Sequence, residues 1–304
     1  LLGGRKFVGD FKPSVISSQD PFFAGFIAKR LARKVKARLV VELHGDFWPE
    51  DPKLHPSFLR NFIARRVLRK AYIIRTVSEK VKIGLFNKFP DLKEKKIEIF
   101  PIVSGEIMTW PFSGKSGLRD IKDMYPKGAI IGLFVGRLTK EKGLDWFLPV
   151  FARVAKQKPL YLRIVGDGEE REALKKLVKD LDLDSKIFFV GEVPEPLLDN
   201  EYRTAHFLVL PSRQESWGRV VVESLQSKTP VIVTNAVGSA SELKNEESAL
   251  IVSFGDNEAM AKALQKMAGS SELREKLALN GFTAVKDLSY DKMIGKMQNL
   301  WKKA

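Results

Sequence analysis

The chain has 304 residues, 44% hydrophobic and 29% charged, an ordinary composition for a globular protein with room for two separately cored domains. Cysteine is absent, which excludes disulfides and cysteine-ligated metals and is compatible with a reducing compartment. No apolar run approaches the roughly 18 residues that a membrane-spanning helix needs, so we expect a cytoplasmic protein.

Positive charge is concentrated in the first part of the chain. Residues 1–112 hold 22 Lys and Arg against 11 Asp and Glu, and residues 113–304 hold 30 against 26, so +11 of the net +15 lies in the first part. Two clusters contribute most of it: Lys29, Arg30, Arg33, Lys34, Lys36 and Arg38, then Arg60, Arg65, Arg66, Arg69 and Lys70. A solvated helix face and an anionic membrane surface both fit such clusters. Nucleic acid does not, because no aromatic platforms are interleaved with the basic residues.

Short apolar runs alternate with amphipathic segments, which predicts parallel sheets covered by helices. In the first part, strands are predicted at residues 38–43, 71–77 and 97–102, and helices at residues 21–36 and 56–70. Three or four strands are few for a Rossmann-like half, and the sequence begins with leucine. We therefore expect the natural start, and part of the first domain, to precede it.

A segment without a clear period, residues 108–127, contains Pro, Gly and Ser, and we place the domain boundary there. Six further strands are predicted at residues 129–135, 160–165, 186–190, 207–210, 231–233 and 250–252. Helices between and after them include residues 169–181, 257–268, 271–286 and 291–303. The expected organisation is a first domain over residues 1–112, a second over 113–285 and a C-terminal helix over 286–304.

The loop after the first strand of the second domain, Gly136 to Gly143, carries the first chemical signal. Ligands of open parallel sheets lie beyond the carboxyl ends of the strands, and Gly136 lets the backbone approach a ligand closely. Arg137 and Lys142 offer two cations for a diphosphate leaving group, which gains negative charge as a glycosidic bond breaks. A solvated loop is the alternative for this motif taken alone.

The next strand ends in Val165-Gly166-Asp167-Gly168. A dinucleotide fingerprint would need a third glycine at position 171, where the sequence has Arg171, and would lie in the first turn of the domain. A nicotinamide site is therefore disfavoured, whereas a tight turn near a ligand remains.

The strongest pattern runs from Pro211 to Glu223. Gly218 opens a helix whose free backbone N–H groups suit a phosphate, and Ser216 and Trp217 immediately precede it. Glu215 lies before the helix and Glu223 in its first turns. Carboxylates accept hydrogen bonds from vicinal sugar hydroxyls, so two separated glutamates suit the two sugars of one donor. A surface glutamate near a helix start is the alternative for Glu223.

Together these motifs resemble the family-4, group 1 retaining glycosyltransferases of the GT-B fold. The run from Gly136 to Gly143 is similar to their GRLxxxKG loop, and Val165 to Gly168 to their VGDG turn. Phe189-Val190-Gly191 is similar to their FxG strand end. Glu215 and Glu223 match their EX7E pair, and Gly238 and Glu242 match the loop and helix start that follow. Five motifs stand in order within residues 129–252, which makes a chance match very improbable.

The first part of the chain resembles the same family more loosely. Its Ser-Gln-Asp-Pro-Phe run at residues 18–22 looks like the family's SQDPF strand end. Residues 41–46 look like its strand followed by His-Gly-Asp, which places His44 in that turn. Residues 75–78 look like its RxVS strand end.

The resemblance implies two α/β Rossmann-like domains facing across a cleft, with the first incomplete. It also implies transfer of a sugar from a nucleotide diphosphate-sugar to an acceptor, a glycan or a lipid-linked glycan, with no cofactor and no metal. Arg137 and Lys142 would bind the diphosphate, Glu223 the ribose and Glu215 the donor sugar, and His44 would contact that sugar from the first domain. The remaining donor-binding positions would be Gly136, Gly166, Gly191, Ser216, Trp217 and Gly218.

Several positions depart from the family pattern. Lys228 stands where a glycine is usual, which would cost about 1 kcal/mol if its backbone is left-handed. Ser239 replaces the usual second glycine after Gly238, and His206 replaces an aspartate common before the strand at residues 207–210. The family's glycine-rich N-terminal loop has no counterpart in the sequence.

One further pattern, Asp182-Leu183-Asp184, fits the DxD motif of metal-dependent glycosyltransferases. It lies in a polar turn after the helix at residues 169–181, and we expect no metal there. Two other functions stay open. A nucleotide-sugar epimerase of similar fold should have more catalytic carboxylates and histidines than a chain with 3 histidines offers. A donor-binding but inactive fragment is the non-enzymatic alternative.

Overall fold

The computed structural model describes residues 11–45, 47–48, 58–102 and 121–303. The chain divides into two compact units, one comprising Leu1–Ile102 with Asp291–Ala304 and the other Val103–Tyr290. The segment expected to contain the domain boundary, residues 108–127, lies mostly outside the described ranges. None of the helices within those ranges is both long enough and apolar enough to cross a membrane.

The described residues form two parallel sheets. Their strands are β1 Val15–Ser18, β2 Arg38–Leu43, β3 Ile73–Thr76, β4 Ile97–Ile99, β5 Ile130–Val135, β6 Leu160–Val165, β7 Ile187–Gly191, β8 Phe207–Leu210, β9 Val231–Thr234 and β10 Leu250–Val252. The first sheet has the order β1-β2-β3-β4 and the second the order β10-β9-β8-β5-β6-β7. Parallel sheets covered by helices are the architecture that the alternating pattern predicts, and this α/β fold class is confirmed.

Ten α-helices connect and cover these strands in the described residues. They are α1 Phe23–Val35, α2 Phe58–Leu68, α3 Glu79–Lys88, α4 Leu144–Ala155, α5 Arg171–Asp180, α6 Glu195–Thr204, α7 Arg219–Gln226, α8 Asn257–Gly269, α9 Ser271–Val285 and α10 Tyr290–Lys303. The amphipathic segments predicted from the sequence fall on helices, with ends that differ by a few residues.

One part of the core of the first unit lies between its sheet and the last helix of the chain. β2 and β3 are central strands, and all but the first residue of β2 are buried, which explains their nearly continuous apolar sequences. Val40 and Ile73 pack with Phe100 and with Leu300 of α10. The final helix therefore contributes to the core of a sheet whose last strand ends at Ile99, 191 residues before the helix begins at Tyr290.

Two elements of the first unit have no clear period in the sequence. β1 contains only Val15 and Ile16 before two serines, and it forms the sheet edge by pairing with β2. α3 is weakly amphipathic, and its start is defined instead by Ser78, whose Oγ accepts a hydrogen bond from Val81 N at 3.3 Å. Local capping and edge pairing, rather than apolar periodicity, specify these two elements.

The second unit is organised around two central strands, β5 and β8. They pair through Gly132 with Phe207 and Leu133 with Leu208. From β5 the chain adds β6 and β7 on one side and then returns to add β8, β9 and β10 on the other. The strand order thus changes direction between β5 and β8. Ligands of open α/β sheets bind beyond the carboxyl ends of the strands at such a switch point.

Candidate active site

The loops after β5 and β8 meet at the carboxyl edge of the second sheet. The loop after β5 forms one 3-10 turn, Lys140–Lys142, and ends at Gly143, whose φ is 70°. A Cβ on Gly143 would lie 2.1 Å from the Pro211 carbonyl oxygen, so only glycine fits this close approach to the loop after β8. This packing brings the end of the first loop to the start of the second.

Lys142 and Glu215 form an ion pair where the two loops meet. Their side chains are 21% and 19% exposed, so the pair is mostly shielded but open to a ligand. The sequence predicts Lys142 for the diphosphate and Glu215 for the sugar, and the structure brings the two together. Arg137 is exposed in the same loop, and no ion pair joins it to any residue in the described ranges.

Arg213 holds the two loops together, and the sequence analysis did not single it out. Its Nη atoms donate to both carboxylate oxygens of Asp145, at 2.6 and 2.8 Å, and Nη1 also donates to the Lys140 carbonyl at 2.6 Å. Its backbone N donates to the Glu141 carbonyl at 2.8 Å. The hydrogen bonds from Arg213 hold the pKa of the Asp145 carboxyl below its usual range. Its position between a strand end and Glu215 could have identified Arg213 from the sequence as a residue of the candidate site.

The segment from Glu215 to Gly218 is fixed by its neighbour, the loop after β9. Glu215 N donates to the Ala236 carbonyl, Gly238 N donates to the Glu215 carbonyl at 3.0 Å, and Ser239 N donates to the Trp217 carbonyl at 2.7 Å. The Trp217 side chain is 2% exposed, so this residue offers a ligand its backbone rather than its indole. Ser216, beside it, is partly exposed.

Gly218 sets the start of α7. Its φ is 85°, and a Cβ there would lie 2.6 Å from the Val237 side chain. The helix start has no side-chain cap, so its first N–H groups are available to an anion, as the sequence predicts for this position.

Glu223 is buried in α7, not on the surface. Its carboxylate accepts a hydrogen bond from the Tyr202 hydroxyl at 2.7 Å, and its other oxygen lies 2.9 Å from Arg219 Nε. The surface alternative for Glu223 is therefore wrong. Since the Arg219 side chain is 48% exposed, it is the partner that can move if a ribose binds here. Tyr202 carried no recognisable sequence signal.

A pocket of about 520 Å³ opens beside the loop after β5, within the size range of small-molecule sites. Gly136, Arg137, Gly166 and Asp167 line one side, and residues 192–194 with Leu198 line the other. Gly191, with φ 84°, ends the strand that leads into residues 192–194. The three glycine-containing turns predicted from the sequence therefore border one pocket.

Gly166 serves the packing of these turns. A Cβ at this position would lie 2.0 Å from the Gly136 carbonyl oxygen, and Gly166 N donates to the Gly191 carbonyl at 2.7 Å. At the position where a dinucleotide fingerprint would need glycine, Arg171 instead pairs with Asp167 at 2.6 Å. The glycine turns are thus built to fit against each other.

His44 directly follows β2 in the first unit. Its side chain is 32% exposed, and Nε2 lies 3.2 Å from Glu42 Oε2, without the alignment of a hydrogen bond. Glu42 is buried and accepts hydrogen bonds from Ser17 Oγ at 2.7 Å and Arg75 Nη1 at 2.5 Å. Burial raises the pKa of Glu42, but His44, Ser17 and Arg75 outweigh it and lower that pKa to about 2.

Glu42 was also missed by the sequence analysis, although a signal was present. An acid stands in the apolar strand β2 and an arginine in the apolar strand β3, and their Cα atoms pair in register as Glu42 and Arg75. Charged groups are almost never buried in central strands unless they are paired. Asp182 and Asp184, by contrast, lie in the turn between α5 and β7, where Asp182 has φ 58°.

Two family models match the chain. The model described as "Glycosyl transferases group 1" matches residues 120–283, and the one described as "Glycosyl transferase 4-like domain" matches residues 1–101.

Curated relatives match about half of the chain. The lipopolysaccharide core biosynthesis glycosyltransferase LpsE of Rhizobium meliloti is 32% identical over 158 residues, which are 51% of this chain and 44% of the relative. The D-inositol 3-phosphate glycosyltransferase of Thermomonospora curvata is 29% identical over 186 residues, 58% of this chain and 43% of the relative. The matched region thus spans less than half the length of these relatives.

Solved structures resemble the whole chain. Sucrose-phosphate synthase from Thermosynechococcus elongatus gives a TM-score of 0.81 at 19% identity, covering 99% of this chain and 76% of that one. Anabaena HepE in complex with UDP gives 0.82 at 15% identity, covering 100% of this chain and 82% of that one. At such identities the likeness shows the fold alone, and the fold is the GT-B fold expected from the sequence. Because the model described as "Glycosyl transferases group 1" covers more than half of the residues, the chain belongs to the group 1 glycosyltransferases.

Proposed function

We propose that the second unit binds a nucleoside diphosphate-sugar and that the protein transfers the sugar to a glycan or lipid-linked glycan. The observation that supports this proposal most strongly is the Lys142–Glu215 ion pair at the switch point, beside a pocket lined by Arg137. A cation and a carboxylate held in contact, with a second cation nearby, suit a ligand that contains both a diphosphate and a hydroxyl-rich sugar.

In this proposal each charged group has one task. As the bond between the anomeric carbon and the diphosphate oxygen breaks, its electron pair stays with the diphosphate. Arg137 and Lys142 would stabilise that charge, since fixed cations act most strongly where charge develops in the transition state. Glu215, next to Lys142, would accept hydrogen bonds from the sugar hydroxyls and orient the anomeric carbon.

The finer features of the proposal follow the family pattern. We infer that the enzyme is a hexosyltransferase that retains the anomeric configuration and needs no metal, because two cations already serve the diphosphate. Glu223 would bind the ribose after Arg219 moves, and His44, whose Nε2 lies 3.2 Å from Glu42, would contact the donor sugar. Relatives that act in lipopolysaccharide core biosynthesis, and a neighbour whose structure contains UDP, support the donor and acceptor classes.

Calorimetry with UDP, GDP and ADP tests the donor site. Arg137→Ala and Lys142→Ala should each weaken binding of the preferred nucleotide about tenfold, or about 1.4 kcal/mol. Lys140→Ala is the matched control, because Lys140 is exposed in the same 3-10 turn and should change affinity less than twofold. Unchanged affinity in both Arg137→Ala and Lys142→Ala would contradict the proposal.

We further propose that the first unit binds an anionic membrane surface, at the cytoplasmic face. α1 and α2 pack together and carry Arg30, Arg33 and Lys34 on one helix and Arg65 and Arg66 on the other. Burial and the charges of Arg66, Arg30 and Lys70 lower the pKa of Lys29, so cations from both helices form one patch.

Exposed aromatic residues stand at the first residue of each of these helices, ahead of the basic residues, with Phe23 72% and Phe58 88% exposed. Apolar side chains beside cations suit the interface of an anionic bilayer, where each Lys or Arg contributes about 1 kcal/mol.

Liposome flotation tests the membrane proposal. The protein should float with phosphatidylglycerol vesicles at low salt and less at high salt. Arg30, Arg33 and Lys34 changed together to Gln should abolish flotation, whereas the same change at Lys175, Lys176 and Lys179, exposed on α5, should not. Equal recovery on neutral and anionic vesicles, or equal loss in both triple variants, would contradict it.

A further inference from the structure

A second pocket, of about 310 Å³, lies at the opposite edge of the second sheet from the candidate active site. It is lined by residues just before β8 and just before β9, together with Arg203 from α6 and Arg274 from α9. β8 has four residues, so about 13 Å of strand separates this amino edge from the loop that carries Glu215. The two pockets therefore have no lining residue in common.

Cations dominate the lining of this back pocket. Arg203, Lys228 and Arg274 face it against a single lining acid, Glu275. Arg203 pairs with Asp199 at 2.6 Å, outside the lining. Within the described residues neither Lys228 nor Arg274 forms an ion pair, although the first lies over the Phe282 ring and the second donates to the Met267 carbonyl at 2.5 Å. Two lining cations are therefore not engaged in an ion pair with any described residue.

The environment of Arg274 shows that its charge is incompletely balanced. Burial lowers the pKa of Arg274, and the nearby Glu275 opposes that effect only in part. A half-buried guanidinium in this state is stabilised by any anion that enters the pocket.

Both side chains that depart from the family pattern near this edge line the same pocket. Lys228 follows α7 with φ 59°, the left-handed position that usually ends a helix with glycine. His206 stands where the pattern has an aspartate, and its Nδ1 accepts a hydrogen bond from Ile131 N at 3.0 Å, which leaves the ring proton on Nε2. One departure adds a cation at a strained position, and the other removes an acid. Relative to the family pattern, both departures make the pocket more positively charged.

We propose that this back pocket, formed by Lys228, Arg274 and His206, binds a small dissolved phosphate anion such as phosphate or diphosphate. The pocket has the size of small-molecule sites. Its cations come from three elements, Arg203 from α6, Lys228 from the end of α7 and Arg274 from α9, which suits a compact ligand with several charged oxygens.

Inorganic pyrophosphate is the probe, and the candidate active site is disabled first so that it does not compete. Calorimetry is carried out on the full chain with Arg137→Ala and Lys142→Ala combined, at 150 mM NaCl to screen weak surface binding. The result is therefore independent of whether the active site binds nucleotide. This double variant should bind pyrophosphate, and adding Lys228→Gly or Arg274→Gln should weaken binding at least tenfold.

Lys36→Gly is the matched control. Lys36 is also a lysine that follows a helix, with φ 56°, but it lies in the first unit. It controls for both the lost charge and the relieved strain, and it should change pyrophosphate affinity less than twofold. Lys228→Gly should also leave the melting temperature unchanged or higher, because glycine fits the left-handed backbone. Absence of pyrophosphate binding in the double variant, or equal weakening by Lys36→Gly and Lys228→Gly, would overturn the assignment.

Discussion

Lys142 and Glu215 are 73 residues apart in the chain, yet their side chains form an ion pair at the carboxyl edge of the second sheet. The pair depends on the central position of β5 and β8, whose following loops carry one partner each. Without a ligand, the Glu215 carboxylate pairs with Lys142, the cation that the donor diphosphate would need. Binding and catalysis should therefore respond differently to the two residues.

Glu215→Gln should separate these effects. Loss of the carboxylate charge frees Lys142 for the diphosphate, so UDP affinity should stay equal or rise up to about tenfold, or about 1.4 kcal/mol. Sugar transfer should fall at least about 100-fold, because the proposed hydrogen bonds from the sugar hydroxyls would no longer go to a charged carboxylate. Calorimetry and a donor-turnover assay measure the two quantities. Glu172→Gln, exposed on α5, is the control. A loss of UDP affinity as large as in Lys142→Ala would show that the two groups do not compete.

Arg213→Lys should weaken donor binding although Arg213 is not proposed to touch the ligand. Lysine cannot reproduce the two-oxygen contact with Asp145 and the contact with the Lys140 carbonyl together, so the loop that carries Lys142 loses its support. We expect about a threefold to tenfold rise in the Kd for UDP, with little change in fold stability. Arg153→Lys, in an exposed pair with Glu258, should have no effect. Identical Kd values for the two variants would contradict this positioning role.

The pKa of Glu42 predicts an acid sensitivity of the folded chain. Because that pKa falls from its ordinary 4.5 to about 2, the folded state holds fewer protons than the unfolded state between these values. The resulting stability is complete above about pH 5 and is lost as the pH falls towards 2, and it amounts to about 3 kcal/mol. Urea unfolding at several pH values measures it.

Glu42→Gln provides the comparison for that measurement. At pH 7 this variant should be less stable by about 3 kcal/mol, since buried Arg75 loses its anionic partner. The difference between the two proteins should shrink as the pH drops below 4.5 and disappear near pH 2. A difference that stays constant over this range would contradict the assigned pKa.

Transfer activity should survive chelation. In the proposed function Arg137 and Lys142 supply the positive charge that a metal supplies in DxD enzymes, so EDTA should change turnover less than twofold. Asp182→Asn and Asp184→Asn should likewise retain activity. Loss of activity with EDTA that manganese or magnesium restores, together with a comparable loss in either Asn variant, would make those aspartates metal ligands.

The sequence by itself determined the features that depend on neighbouring residues. Apolar runs identified every described strand of the second unit, because its four inner strands, β5, β6, β8 and β9, are buried by their place in a parallel sheet. Glycines such as Gly143 and Gly218 marked turns with left-handed backbone. The motifs around Arg137, Lys142 and Glu215 identified the family, since their order and spacing are properties of the sequence alone.

Only the tertiary structure decided which of these residues meet. The contacts of Glu215 with Lys142, of Arg213 with Asp145 and of Glu42 with Arg75 join segments 73, 68 and 33 residues apart. Each arises from strand order, which no local period encodes. The same is true of α10, whose apolar face could cover either unit as far as its sequence shows, but which packs on the first sheet through Leu300. Local sequence determines which side chains an element carries on each face, whereas the order of strands in the sheet determines which residues those side chains contact.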